Sequence, residues 1–451
     1  MVDEGRKPLL IVSNAGVGVF NPLRVLAAEL ARRGTENLWF ASDEPRRADV
    51  EKIDEGSGVR FASLGAINPH YSPVDWDDET YRQITQRSRW KAHRAVVRRG
   101  FGAPGTREKS QAIEAVVDEL EPALMIFDSV NLPALVAALK RKIPSVLSSP
   151  FMPSNLLMPR GFPMLHTGLP LRMSFTQKVR NRVFRLRAGL MLLHPSMLKH
   201  VLDTVSRVRK GLLPREALSL RAKVDHADLV LCYTVFGLEY PLPVPEKFHL
   251  VGAMIPPLPE APDDGDLSRW LDANPSVVYV GLGTITRLTR DEVHAMVEVA
   301  RRLDGEHAVL WKLPDEQQRH LPPRDELPAN LRIESWLPSQ LDVLAHPSVR
   351  LFFNHGGGNA FHEGLYFGKP QVIRPLWVDC YDQAIRGVDS GVSLTVDDPQ
   401  TVDVEDVFGK ITRVLGAPSF RERAEYFSRE LREAGGVRTA ANLVLGHPAL
   451  K

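Results

Sequence analysis

Short apolar runs alternate with longer amphipathic ones along most of this chain. Pro8-Leu-Leu-Ile-Val-Ser13 predicts a strand, and Pro22 to Arg33 predicts a helix with Leu23, Leu26, Ala27 and Leu30 on one face. Asn21 reads as the N-cap of that helix, Pro22 as its first residue and Gly34 as its stop. Further strands are expected at Asn37 to Ala41, Ala123 to Phe127, Ser145 to Ser148 and Leu229 to Tyr233. Strands that alternate with helices imply an α/β fold with a parallel sheet covered on both faces.

Between 241 and 265 the pattern breaks into Pro241-Leu-Pro-Val-Pro245, Pro256-Pro-Leu-Pro259 and Pro262-Asp-Asp-Gly265. Proline at this density reads as a linker. The alternation then resumes, with strands expected at Ser276 to Leu282, Ala308 to Lys312, Leu331 to Glu334, Val349 to Phe353 and Gln371 to Ile373, and a helix at Asp291 to Arg302. The expected organisation is a first doubly wound domain over 1–245, a linker over 246–265 and a second such domain over 266–451. The last helix is expected to pack back on the first domain. Two similar halves imply a cleft between them, and ligands of such sheets lie beyond the carboxyl ends of the strands.

Length and composition agree with two globular domains: 451 residues, 43% hydrophobic and 25% charged. The net charge of +2 gives no reason to expect a nucleic-acid partner. The two cysteines, Cys232 and Cys380, are too few for a disulfide framework or a cysteine zinc site, and they suit a reduced, cytoplasmic compartment. The N-terminus lacks the long apolar stretch of a signal peptide, and no run approaches the ~20 apolar residues of a spanning helix. The charge is nevertheless uneven. From Ser129 to Leu202 there is no Asp or Glu, while Arg172, Lys178, Arg180, Arg182, Arg187 and others interleave with Phe175, Val179, Val183 and Leu186. Two readings stand: a solvated helix face beside a core face, or a basic amphipathic surface over 155–200 that touches anionic lipid or a greasy acceptor, giving peripheral membrane contact.

The chemistry concentrates later. In Phe352-Phe-Asn-His355-Gly356-Gly357-Gly358-Asn359-Ala-Phe-His-Glu363 an apolar strand meets glycines and then a helical pattern. Strand, glycines and helix together present unpaired backbone N–H groups to a phosphate, and the helix start adds partial positive charge. His355 is a further donor. Glu363, seven residues past Gly356, lies on the same helix face about 10 Å further along, a suitable offset for gripping ribose hydroxyls. Trp336 ends a strand and is placed to stack on a base. Gly283 and Thr284 follow the strand Val277 to Val280 and offer a second phosphate contact. The competing structural readings are an ordinary glycine turn, a core tryptophan and a plain strand-to-helix turn.

The order of Val278-Tyr-Val-Gly-Leu-Gly-Thr284, Trp336-Leu-Pro338, His355-Gly-Gly, Glu363, Gly368-Lys-Pro370 and Pro375 to Gln383 resembles the UDP-glycosyltransferases, among them enzymes that glycosylate natural products. The resemblance implies a GT-B fold, with two Rossmann-like domains facing a cleft, and an inverting transfer of a hexose, by default glucose, from a UDP-sugar to a small-molecule acceptor. It implies no metal and no cofactor beyond the UDP-sugar co-substrate. It also implies that Trp336 stacks on uracil and the Leu337 backbone bonds to it. His355, Asn359, Gly283 and Thr284 contact the diphosphate, and Glu363 holds the ribose.

Two departures matter. The family's closing Asp-Gln, which holds the sugar, maps onto Asp379-Cys380 by spacing or onto Asp382-Gln383 by letters. The family's catalytic His after the first strand is replaced by Val19, followed by Phe20 on the acceptor side. Asp128, matching the Asp that orients that His, remains as the expected catalytic residue. Three readings stay open: Asp128 acts as base directly or through water, another His (His70, His93 or His166) reaches in, or the acceptor ionises easily. A protein that binds nucleotide sugars without turnover, a GT-B epimerase, and a dehydrogenase using Gly16-Val-Gly18 are the rival classes. The dehydrogenase fingerprint fails at Asn21, where a third glycine is required. The lipophilic character of the acceptor is an expectation from the loops around 150–215, and the oligomeric state is not encoded in any pattern.

Overall fold

In a computed structural model describing residues 7–54, 58–70, 72–100, 105–199, 202, 220–262 and 265–451, the chain forms two parallel sheets. The first holds β1 (Leu9–Val12), β2 (Leu38–Ser42), β3 (Val59–Ser63), β4 (Leu124–Asp128), β5 (Ser145–Ser149), β6 (Leu229–Cys232) and β7 (Phe248–Leu250), in the order β3-β2-β1-β4-β5-β6-β7. The second holds β8 (Val277–Gly281), β9 (Ala308–Lys312), β10 (Leu331–Glu334), β11 (Val349–Asn354), β12 (Gln371–Ile373) and β13 (Ser393–Thr395), in the order β10-β9-β8-β11-β12-β13. The central strands β1, β4, β8 and β11 are almost wholly buried, so their apolar runs carry no alternation. Strand order reverses between β1 and β4 and again between β8 and β11. Each reversal opens a crevice at the carboxyl ends of the strands.

Two expectations need correction. The first helix, α1 (Val17–Arg32), starts at the N-cap Gly16, so Asn21 is no cap and Pro22 lies inside it. Packing outweighs the local signal, because Val19, Phe20, Pro22 and Leu23 are all buried. A proline here has no N–H to give the carbonyl four residues back. That carbonyl, Gly18 O, instead accepts a hydrogen bond from Asn359 Nδ2 of the second domain at 3.3 Å. The expected linker over 246–265 contains β7, which pairs with β6 through Phe248, His249 and Leu250. The first sheet therefore runs to Leu250, since the prolines before it set the approach to an edge strand rather than excluding one.

The domains are joined by apolar packing. Met152, Val235 and Leu238 of the first domain share a buried cluster with Phe361, Leu365, Phe427 and Leu431 of the second. Gly237 (φ +99°) allows this approach, since a Cβ there would lie 2.9 Å from the Phe427 ring. The helix Gly436–Leu445 crosses to the first domain, where Val437, Ala440, Ala441 and Val444 pack with Leu23, Leu26, Ala27 and Leu30. Phe427→Ala should cost about 3–5 kcal/mol by emptying the joint. Calorimetry should then show an earlier, split transition as the domains uncouple, and an unchanged thermogram would refute a structural role for this contact.

Candidate functional site

The centre of the site is the turn after β11. Buried Asn354 accepts the Gly356 N–H on Oδ1 at 2.8 Å and donates Nδ2 to Gln371 Oε1 at 2.8 Å. This fixes the chain as it leaves the strand, passes Gly356 and Gly357, and enters the helix Gly358–Tyr366. The His355 ring lies between the two glycine-bearing turns. A Cβ on Gly283 (φ +77°) would sit 2.8 Å from the imidazole Cε1, and one on Gly357 would collide with Nε2. Burial pushes His355 down to about 4, with the Gly281 carbonyl opposing, so the ring is neutral at pH 7. Its Nδ1 is buried and makes no hydrogen bond to any described residue. In the tautomer that carries its proton on Nδ1, this neutral ring would offer a donor to an anion beside the N–H groups of a helix start.

At the edge of the same sheet, Trp336 follows β10 and remains 66% exposed, with the Lys312 ammonium 4.3 Å over its ring. An aromatic so open, anchored by buried Leu337, has surface left for a stacked ring. Ser339 caps the helix Gln340–Ala345. Gln340 then joins two groups: its Oε1 accepts from the Tyr279 hydroxyl at 3.1 Å and its Nε2 donates to Glu363 Oε2 at 2.7 Å. Burial pushes Glu363 up to about 7, with Glu260 adding to the shift and Gln340 opposing it.

The two candidate pairs, Asp379-Cys380 and Asp382-Gln383, differ in their surroundings. Asp382 is buried and accepts the backbone N–H groups of His166 at 2.6 Å and Gly168 at 3.0 Å, both from the first domain. It is an interdomain clasp with its oxygens engaged. Asp379, at the start of the helix Cys380–Ser390, caps nothing with its side chain. Burial pushes it up to about 7, and the nearby Asp382 adds to the shift. Gln383 is fully buried beneath Gly358, and neither of its amide atoms has a partner among the described residues. Gly358 is itself confined, because a Cβ there would lie 3.1 Å from Pro150 O across the cleft.

The opposite wall departs from expectation. Asp128 has no exposed surface. Its Oδ2 accepts from Asn14 N at 2.8 Å and Asn14 Nδ2 at 3.1 Å, while Oδ1 accepts from Val130 N at 2.9 Å. Burial pushes its pKa up and these bonds oppose that. Asp128 therefore grips the loop after β1 rather than facing an acceptor. Val19 and Phe20 are buried too; Phe20 packs edge-on to Phe40 under the Arg46 guanidinium, and Val17 and Gly18 are the exposed residues of that turn. His93 and His166 bond to each other through their Nδ1 atoms at 3.0 Å, and burial holds both well below the usual histidine range.

Several functional positions escaped sequence reasoning. Asn14 carries no motif. Trp76 of the first domain meets Trp377, two residues before Asp379, edge-on with centroids 5.9 Å apart. Arg386 reaches from the Asp382 helix to Ser154 Oγ at 2.6 Å, within 3.7 Å of buried Glu239. The only signal for it was its place one turn beyond Asp382.

A family model described as "UDP-glucoronosyl and UDP-glucosyl transferase" matches residues 108–433. Among curated relatives, UDP-glucuronosyltransferase 2B13 of Oryctolagus cuniculus is 28% identical over 61% of this chain and 49% of its own length. The 2-hydroxyacylsphingosine 1-beta-galactosyltransferase of Rattus norvegicus is 29% identical over 59% and 47%. UDP-glucosyltransferase 2 of Dactylopius coccus is 23% identical over 95% and 81%. The chain thus spans about half the length of the first two. Among solved structures, the kitacinnamycin glycosyltransferase has a TM-score of 0.69 at 20% identity, and the calicheamicin glycosyltransferase CalG4 has 0.67 at 18%, each over 98% of both chains. These share the GT-B fold of two Rossmann-like domains. With the family model covering most of the chain and the fold agreeing throughout, this protein belongs to the UDP-glycosyltransferase family.

Proposed function

We propose that this protein transfers a hexose, glucose by default, from a UDP-sugar to an easily ionised oxygen of a lipophilic small molecule, with inversion and without a metal. The observation that carries the reading is the arrangement around His355: an unpaired Nδ1 at a helix start, Trp336 open on one side and Glu363 held by Gln340. Uracil would stack on Trp336, ribose hydroxyls would donate to Glu363, and the diphosphate would meet His355, Thr284 and the Gly357–Asn359 N–H groups. As the anomeric bond breaks, charge grows on the leaving UDP, where these fixed dipoles already point. Asp379 is the carboxylate left free to accept from sugar hydroxyls. The apolar rings Trp76 and Trp377 beside it favour a lipophilic acceptor.

The acceptor's acidity follows from the other wall. Val19 takes no proton, and Asp128 is withdrawn onto Asn14. A phenol or carboxylic acid arrives already ionised in part and needs little help. Asp128 then serves as a positioning residue for the loop after β1.

A mass-spectrometric screen of UDP-sugars against phenols, carboxylic acids and aliphatic alcohols, with EDTA present, tests the proposal. Products are expected from UDP-glucose and hydrophobic phenols; UDP binding with no product from any acceptor would sink it. On the best phenol, Asp128→Asn loosens the loop after β1 and should lower kcat without moving the pH profile. Loss of an ionisation from the pH profile together with about a hundredfold in kcat would restore Asp128 as a general base.

Glu363 adds a pH dependence. Its pKa of about 7 is raised in the free protein, and ribose hydroxyls favour its ionised form. UDP affinity should therefore be level above about pH 7 and weaken below it, by up to about tenfold per pH unit. Calorimetric titration from pH 5.5 to 8.5, on wild type and Glu363→Gln, checks the slope. A slope that persists in the variant belongs to another group.

A further inference from the structure

The helix Phe175–Met191 has one face turned into the first domain, through Asn181, Phe184 and Ala188. Asn181 accepts the Met164 N–H at 2.8 Å and donates to Phe162 O at 2.9 Å, so this face fastens the loop that carries His166 and Gly168. The opposite face is apolar and exposed. Phe175 is 80% exposed and Leu186 63%, and Val179, Val183, Leu190 and the following Leu193 are also open. At ~100° per residue these six positions fall within roughly 80° of one another. Lys178 and Arg182 border one edge of this stripe, and Arg180 and Arg187 border the other. All four are exposed, and none forms an ion pair with a described residue. No helix among the described residues is long and apolar enough to cross a membrane.

We propose that this face docks on the surface of an anionic lipid bilayer, with the apolar stripe among the acyl chains and the four cations at the headgroups. An interfacial helix has these features: a narrow apolar face, cations on both flanks and a low overall hydrophobicity. The competing occupant of an apolar stripe is a second copy of the chain. Charge decides against it. From Ser129 to Leu202 there is no acidic residue, so pairing two such helices sets guanidinium against guanidinium. A bilayer carrying anionic lipid supplies the countercharge that this segment lacks. Docking here does not depend on the sugar donor or on turnover.

Co-sedimentation of the full chain with vesicles tests it at 0.15 M salt. Binding should be at least about tenfold tighter to vesicles of phosphatidylcholine with 30% phosphatidylglycerol than to phosphatidylcholine alone, and should fall as salt rises. Phe175→Ser/Leu186→Ser/Leu190→Ser should lose at least about fivefold while keeping the wild-type melting temperature, because these side chains are mostly exposed. Lys178→Glu/Arg182→Glu should lose the preference for anionic vesicles, which keeps the proposal testable if the first variant folds poorly. Absence of binding to both vesicles overturns it, as does binding that both variants retain. A dimer seen by light scattering and dissolved by the serine variant would give the face to a second copy instead.

Discussion

The joint between the domains is the constraint on which everything else depends. Two sheets with separate cores would move freely if only loops met between them. Here Phe427 and Leu431 enter a cluster with Val235 and Leu238, and the last helix crosses to α1. Within this apolar setting sits a buried polar network. Glu239 accepts from Ser154 N at 2.6 Å and Ser154 Oγ at 2.9 Å, and Arg386 approaches from the other domain. Charges buried in this way contribute little net stability, yet each is costly to leave alone. They therefore specify one docking geometry, and a site whose walls come from different domains requires one.

The helix Cys380–Ser390 carries that constraint into the site. Within two turns it presents Asp379 to the cleft, Asp382 to the backbone of His166 and Gly168, and Arg386 to Glu239. A displacement of this helix would move Asp379 and the loop that carries His166 and Gly168 together. The same loop is fastened from behind by Asn181. A chain of packed contacts therefore runs from the donor site to the exposed basic helix, and both ends share the rigidity of the joint.

What was legible in the sequence follows from how local each cause is. Buried parallel strands write themselves as apolar runs, so the inner strands of both sheets were readable, while the edge strands β3, β7 and β13 were not. The turn His355 to Asn359 was readable because its glycines serve a local geometry. Pro22 misled, because its signal as a helix start is also local, while the burial of Val19 and Phe20 that extends the helix to Val17 comes from across the sheet. β7 hid behind prolines for the same reason. Asp382 and Asp379 look alike in sequence. Only the position of a loop more than two hundred residues away assigns one to a clasp and leaves the other free. Asp128 kept the letter of a catalytic partner, while Asn14, with no motif to mark it, changed what that carboxylate does.

The substitution at Val19 is best understood through where the charge goes. In a displacement at an anomeric carbon, two oxygens change charge: the acceptor's loses a proton and the leaving phosphate gains a negative charge. A protein that meets the second demand strongly can relax the first for an acidic acceptor. The turn that the proposed function gives to the leaving group is held in place, with His355 set between glycines, a helix start after it and Asn359 tied to Gly18 of the other domain. The carbonyl that receives Asn359 is free because Pro22 has no N–H to offer it. On the proposed reading, the first turn of α1 lacks a base at Val19 and gains a tie from Gly18 O to the helix Gly358–Tyr366.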